Sequence, residues 1–579
     1  MPRLIYNPVC GGCLLVSIFT LMKKLLPALL LGFTGLLAGA MLPRPAELPD
    51  ITVPMVRAAQ QLIGLNFPDA QLDSARRDLL DYRNNYLAVR QVQLPNSVIP
   101  AVSFDPRPLR LRASSSAPPT DFRRLPKMGK VVLPTNRDEL AYYSVRQLGE
   151  LLRTRQITSE ELTTFFLARL RRYNQKLFCV TSFTEELALQ QARTADAEIK
   201  RGRYRGPLHG VPYGIKDLFS TKTYRTTWGS VPYKEQVLQE DAAVVIRLQE
   251  AGAVLVAKFT LGELAMGDVW YGGKTRTPWD ITKGSSGSSA GSAAAVSAGL
   301  VPFAIGTETL GSIVSPSTAC GVTGLRPSFG RISRYGAMAL SWTMDKPGPI
   351  ARSAEDCATV LGALTGPDPR DPATLLAPAG FQYAFEGSVK KLRVGYLKTD
   401  FAQLYSNQAH DQTTLTVLRQ LGVELVPLEL PDLPAVDLTF GLTAEAAAAF
   451  DELTRSGQDR LMVQQSRDAW PSIFRSSRFI PAVEYLQAQR VRTLLIEEMD
   501  KRLLGLDAYV APSFAGANLI LTNLTGHPAV AVPNGFNASG LPTSITFCAP
   551  LYGEARLLAL VKAYQDATDF DEKHPPLTF

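Results

Sequence analysis

Between residues 284 and 330 the chain reads GSSGSSAGSAAAVSAGLVPFAIGTETLGSIVSPSTACGVTGLRPSFG, and no other stretch narrows the fold as much. Two clusters of Gly and Ser flank one apolar run. The first cluster, 284–292, has almost no side-chain bulk, so its backbone can turn tightly and a ligand can approach the main chain. Residues 293–300 are a helix candidate, because alanine has the highest helix propensity. Residues 301–305 read as a buried strand. The second cluster, 306–312, reads as another loop whose N–H groups can converge, which is how an oxyanion or anion site is built. A flexible Gly/Ser linker would have no reason to run straight into a strand and a second glycine loop.

Several motifs follow one another in a fixed order. Gly287-Ser288-Ser289-Ala290-Gly291-Ser292-Ala293 is a small-residue serine loop. Gly306-Thr307-Glu308-Thr309-Leu310-Gly311-Ser312-Ile313 is a second loop that carries a serine. Cys320-Gly-Val-Thr-Gly-Leu-Arg-Pro327 and Gly330-Arg331 continue from it. Upstream stands Gly210-Val-Pro-Tyr-Gly-Ile-Lys216-Asp217; downstream stand Gly348-Pro-Ile-Ala-Arg-Ser353 and Gly366-Pro-Asp-Pro-Arg-Asp371. On these residues the chain resembles the amidase signature family of serine hydrolases, over about 140–567.

The resemblance implies an α/β fold with a central mixed β-sheet covered by helices on both faces, here preceded by a small helical N-terminal module. It also implies a site. Lys216 matches the family's base, Ser288 its bridging serine and Ser312 its nucleophile. A cis peptide bond would fall at Gly287–Ser288. The backbone N–H groups of Thr309, Leu310, Gly311 and Ser312 match the oxyanion loop.

The chemistry needs such parts. An amide is a poor electrophile with a poor leaving group, so its cleavage requires an activated nucleophile, oxyanion stabilisation and a proton for the departing nitrogen. Histidine is the usual base, but only His209, His410, His527 and His574 are present. Lysine serves if burial lowers its pKa enough to populate the neutral amine. No histidines pair at metal-ligand spacing, and neither a metal nor another cofactor is expected. Cys10 and Cys13 make a C-x-x-C without the second pair a zinc site needs. Cys179, Cys320, Cys357 and Cys548 read as buried structural thiols, with a disulfide between two of them left open in an exported protein.

Departures from the family pattern are local. Ala290 stands where many members have Gly, and Ser285-Ser286 where Pro-Gly is common. Glu308 replaces the more usual Asp, Leu310 a common Gly and Val314 a common Arg. The last change removes a cation near the nucleophile and with it the ground for assuming an anionic substrate.

The 579 residues divide, on pattern, into a leader (1–40), a small helical module (41–95), a Pro/Ser-rich linker or arm (96–138) and the catalytic domain (139–579). The leader has a basic start at Lys23-Lys24, an apolar run and an Ala38-x-Ala40 end. That is the build of a secretory signal, with translation starting at Met22, or else of an uncleaved anchor. The expectation is an exported, periplasmic or extracellular protein, touching a membrane only through the leader if that is retained. In the module, Val56, Ala59, Leu62 and Ile63 recur at helical spacing, as do Leu72, Ala75, Leu79 and Leu80. Thr158 and Glu161 predict a capping box. Helices are expected over 190–201, 242–251, 353–365 and 554–567, and strands over 211–215, 254–258, 393–396 and 508–511. The alternation suggests a mainly parallel sheet. Residues 440–504 read as mostly helical, in an insertion of the kind that shapes the substrate pocket in this family.

The formal net charge is +8 without a dense basic run or interleaved aromatics, which excludes a nucleic-acid-binding surface as the main function. The expected partner is a small-molecule or peptide amide; a homodimer is allowed. Two alternatives remain. One is the A subunit of the glutamine-dependent aminoacyl-tRNA amidotransferase, which shares the fold and triad. The other takes Gly287-Ser-Ser289-Ala-Gly291 as the G-x-S-x-G elbow of an α/β-hydrolase.

Overall fold

A computed structural model of the chain describes residues 49–93, 101–102, 128–376, 381, 383 and 389–578. The leader and most of the Pro/Ser-rich arm lie outside these residues. The central sheet contains β1 (Val180–Phe183), β2 (Pro212–Lys216), β3 (Val254–Phe259), β4 (Phe303–Glu308), β5 (Thr323–Arg326), β6 (Lys346–Ala351), β7 (Arg393–Leu397), β8 (Glu424–Leu428), β9 (Ala508–Pro512), β10 (Ala529–Phe536) and β11 (Pro542–Cys548). Their order is β1-β3-β2-β4-β6-β5-β10-β11-β9-β7-β8.

The sheet is mixed rather than mainly parallel. β3-β2-β4 and β9-β7-β8 are the parallel groups. The pairs from β4 through β6, β5, β10 and β11 to β9 are antiparallel. Helix–strand alternation reports only that elements alternate; it carries no direction for strands that return by loops. β10 and β11, five residues apart, pair as a hairpin.

Among the described residues, the α-helices longer than five residues are α1 (Val53–Leu62), α2 (Asp69–Gln91), α3 (Val145–Arg153), α4 (Ser159–Leu177), α5 (Glu185–Lys200), α6 (Ala243–Glu250), α7 (Ala290–Ser297), α8 (Val314–Cys320), α9 (Ala354–Leu364), α10 (Gln408–Gln420), α11 (Phe440–Ala449), α12 (Trp470–Ser477), α13 (Ala482–Leu503), α14 (Asn518–Thr525) and α15 (Glu554–Asp566). The sheet is buried on both faces, and strand alternation shows how. Leu255, Phe303 and Ile305 enter one apolar cluster with α3, α6, α9 and α15. Their neighbours Val254, Val256 and Ala304 enter another with α4, α5 and α7. α4 opens on the expected capping box: Glu161 N–H donates to Thr158 Oγ1 (3.1 Å) and Thr158 N–H to Glu161 Oε2 (2.9 Å).

α7 begins three residues before the expected segment, and all of its residues are buried. A helix with no polar face can sit under the sheet only if its side chains are small. At Gly291 an added Cβ would lie 2.3 Å from the Cys179 carbonyl oxygen and 2.6 Å from Thr260 N. The helix is therefore pressed onto β3, and that closeness places the serines at its start.

Between β8 and β9 lies the expected helical insertion, with α11, α12 and α13. α1 and α2 belong to the same compact unit as the catalytic body, which begins at Val53. α2 lies against the insertion: Ser74 bonds Ser472 (2.9 Å), Asp78 accepts from Ser476 (2.7 Å) and Tyr82 bonds Ser477 (2.8 Å). Arg90 pairs with Glu484.

Gly291→Val should force α7 off the sheet. The expected cost is about 1–3 kcal/mol, as for other overpacked cores, read as a lower urea midpoint in equilibrium unfolding. An unchanged midpoint would show that α7 is not held this closely.

Candidate active site

Lys216 is the last residue of β2, and Glu308 the last of β4. With the end of β3 they form the carboxyl edge of the parallel group, where open α/β sheets bind ligands. The loop before α7 brings Ser288 and Ser289 to the same edge. The predicted second loop is shorter than expected, because Gly306, Thr307 and Glu308 complete β4. It runs from Thr309 to Ile313, and Gly311 takes a left-handed turn at φ +84° that favours glycine.

Lys216 is completely buried. Its Nζ lies 2.7 Å from Ser288 Oγ, 2.9 Å from Thr307 Oγ1 and 3.4 Å from the Thr307 carbonyl. Burial drives its pKa down to about 7, against the opposing pull of Asp345 and Glu308. The Gly287–Ser288 peptide bond is cis. Ser312 meets this group through its carbonyl, which accepts from Ser289 N–H (3.1 Å). No hydrogen bond links Ser288 Oγ to Ser312 Oγ. Among the described residues none accepts from the backbone N–H of Thr309, Leu310, Gly311 or Ser312.

Glu308 organises the loop from behind. Its Oε2 accepts from the N–H groups of Ile313 (2.8 Å) and Val314 (2.9 Å). Its Oε1 accepts from Arg326 (2.7 Å) and Asn523 (2.8 Å). Burial opposes the charge, yet Arg326 and these donors outweigh it and hold the carboxyl at about 2. Thr309 Oγ1 donates to Asp345 Oδ1 (2.6 Å). Thr307, Arg326, Asp345 and Asn523 do not stand out in the sequence as site residues. Thr307 and Arg326 lie inside the signature motifs, Asn523 opens the stretch Asn523-Leu-Thr-Gly-His-Pro528 and Asp345 stands three residues before Gly348, so the signal was position without a role.

A cavity of about 280 Å³ opens beside Thr307 and Thr309. Leu218, Met338, Leu340 and Trp342 give it apolar walls. Its cations have partners: Arg334 pairs with Asp371 (2.7 Å), Arg370 with Asp368 (2.8 Å), and Lys346 donates to the Met344 carbonyl.

Ser289, the serine of the G-x-S-x-G reading, does not sit on an elbow. An irregular stretch precedes it, and its Oγ donates to the Thr307 carbonyl (3.1 Å) and accepts from Thr307 N–H (3.2 Å). His527 bonds Thr525 instead (2.7 Å).

The model of a family described as Amidase matches residues 161–519. The chain belongs to the amidase family. It is an enzyme that hydrolyses amide carbon–nitrogen bonds. It is 33% identical, over 480 residues, to the A subunit of the glutamyl-tRNA(Gln) amidotransferase of Coxiella burnetii, covering 75% of this amidase and 99% of the relative. The corresponding protein of Acinetobacter baumannii is 34% identical over 483 residues, covering 75% and 98%. Among solved structures, the native peptide amidase of Stenotrophomonas maltophilia superposes with a TM-score of 0.68 at 29% identity, covering 76% of this chain and 99% of that one. A bacterial aryl acylamidase of the amidase signature enzymes shares the fold, with a TM-score of 0.67 at 20% identity, covering 75% and 98%.

These relatives overturn the expectation of an exported protein. The curated ones are named for glutamyl-tRNA(Gln), a cytoplasmic substrate. No helix among the described residues is long and apolar enough to cross a membrane. The leader that suggested export lies outside those residues.

Glu308→Gln should leave the fully buried Arg326 without its counter-charge. A loss of about 3–5 kcal/mol is expected in denaturant unfolding. Because the folded pKa lies below the ordinary value of 4.5, the stabilisation is complete above about pH 4.5 and is lost as pH falls toward 2. The variant should lack that part of the acid sensitivity.

Proposed function

We propose that this amidase is a serine hydrolase that works through Lys216, Ser288 and Ser312 and a covalent acyl-enzyme. The observation that carries the reading is the fully buried Lys216 amine, 2.7 Å from Ser288 Oγ, with a pKa near 7. At neutral pH a large fraction of it is free base. Ser312 Oγ attacks the amide carbon while its proton passes to Ser288 Oγ and the Ser288 proton to Lys216 Nζ. The unengaged N–H groups of Thr309 to Ser312 receive the oxyanion. The departing nitrogen takes the proton back along the same path, and water then releases the acid. The missing Ser288–Ser312 bond is compatible with this, since catalytic hydrogen bonds are often long without substrate.

The cavity supports a neutral amide with an apolar acyl group. Leu218, Met338, Leu340 and Trp342 give it apolar surface, and Arg334, Arg370 and Lys346 are each engaged within the protein. A second reading has its own support. The identity to amidotransferase A subunits extends over nearly their whole length. On that reading Ser312 would release ammonia from glutamine for a partner protein. Turnover of an apolar amide by the isolated chain, with glutamine left intact, decides against it.

Ser312→Ala should abolish turnover and labelling by a fluorophosphonate. Lys216→Ala should be nearly as severe, and Ser288→Ala should leave residual activity through a bridging water. The Lys216→Ala/Ser312→Ala double variant should be no worse than Ser312→Ala alone, as for groups acting as one unit. Wild-type kcat/KM should fall as pH drops below about 7, where Lys216 already holds the proton it must accept. Turnover that survives Ser312→Ala but not Ser289→Ala would sink the assignment.

A further inference from the structure

The oxyanion loop is held from two sides. Glu308 holds its C-terminal end. Its N-terminal residue, Thr309, is held by Asp345, and Asp345 stands in a turn that needs support of its own. Asp345 Oδ2 accepts from the N–H groups of Leu340 (2.8 Å) and Ser341 (2.9 Å), which closes the turn on itself. The fixing contacts come from the helical insertion. Glu445 on α11 is 5% exposed. Its Oε2 accepts from Ser341 Oγ (2.9 Å) and Thr343 N–H (3.1 Å). Its Oε1 accepts from Thr343 Oγ1 (2.7 Å) and Tyr485 OH (3.0 Å). Arg492 on α13 donates to Thr343 Oγ1 (2.7 Å) and to the Thr343 carbonyl (2.8 Å), and its Nε to the Leu524 carbonyl (2.6 Å).

We propose that Glu445 is a positioning residue for amide cleavage: through the 341–345 turn and Asp345 it sets the place of Thr309 in the oxyanion loop. The inference rests on the reading of Ser312 and that loop given above. Glu445 touches neither substrate nor a reacting group. It is a buried carboxylate with four donors, three of them on one turn, and that turn's next contact is the loop. Tyr82 of α2 extends the chain of contacts by bonding Thr443 (3.2 Å), two residues before Glu445 on the same helix. Leu310 adds an apolar tie in the same direction. It packs against the cluster formed by Met344, α13, α14 and the α2 residues Tyr82 and Val89. An insertion without a recognisable motif thus reaches the chemistry through one acid.

The test compares Glu445→Ala, Glu445→Gln and Thr309→Val on one amide, with active sites counted by the endpoint of fluorophosphonate labelling. Glu445→Ala should lower kcat per titrated site about 10- to 100-fold, as expected for misplaced donors, with KM within roughly two-fold. Glu445→Gln keeps the shape and one acceptor oxygen and should fall between Glu445→Ala and wild type. Combining Glu445→Ala with Thr309→Val should add little to the larger single loss, because both act through Asp345. An unchanged kcat per site, with only the number of titratable sites reduced, overturns the inference. So does a loss carried wholly by KM, or a double variant whose loss is the product of the two. Ser312→Ala in the same series separates the two readings. If it still labels and turns over, the site reading fails and takes this one with it. If it is dead while Glu445→Ala matches wild type per site, this inference alone fails.

Discussion

Where β4 ends, a carboxylate has to remain ionised away from water, and the arrangement of the surrounding elements answers that demand. An unpaired buried charge is too costly to keep, so it must be matched in charge and filled in hydrogen bonds. Glu308 is matched by Arg326 on β5 and filled by Asn523 on α14 and two N–H groups at the start of α8. One side chain therefore fixes two further elements and the 309–313 loop against β4. Neighbouring residues on a strand point to opposite sides. Thr307, one step back, turns the other way and meets Lys216. The dipeptide Thr307-Glu308 consequently holds Lys216 on one side of the strand and the 309–313 loop on the other.

Among the described residues three lysines are fully buried, and their first neighbours differ. Burial lowers the pKa of each. Lys258 sits 3.1 Å from Asp217, a carboxylate that favours its charged form. Lys346 donates to the Met344 carbonyl and stands between two cations and two acids. Lys216 faces two hydroxyls and a carbonyl, with its acids further off. Hydroxyls accept its protons without imposing a charge, and one of them, Ser288, can also hand a proton over. The difference lies in the first neighbours rather than in the depth of burial.

The sequence was most legible where backbone chemistry dictates residue type. Glycine loops, the alanine helix α7 and the Thr158/Glu161 cap follow from local rules, and the structure has them within a few residues. Strand direction was not legible. A helix–strand rhythm leaves it open, and β5, β6, β10 and β11 return antiparallel. The boundary of the second loop was missed for a related reason: Gly306, read as a turn, is a strand residue packed tightly on Ser289. Glu445 and Arg492 were invisible because their meaning comes from contacts about a hundred or more residues away along the chain.

The same division explains why kinship here carries chemistry further than substrate. The oxyanion donors proposed above are backbone N–H groups, so Leu310 for glycine or Glu308 for aspartate can be absorbed without moving them, provided the new side chain finds a place. Leu310 finds it in the apolar cluster under α2 and α13, and Glu308 in its longer reach to the α8 N–H groups. Recognition of a substrate depends on side chains. Val314 stands where a cation is common. Its N–H serves Glu308, while its side chain is buried and carries no charge. The basic side chains around the cavity are engaged by Asp371, Asp368 and a carbonyl. A pocket built this way gains little from a charged substrate and loses desolvation energy by accepting one.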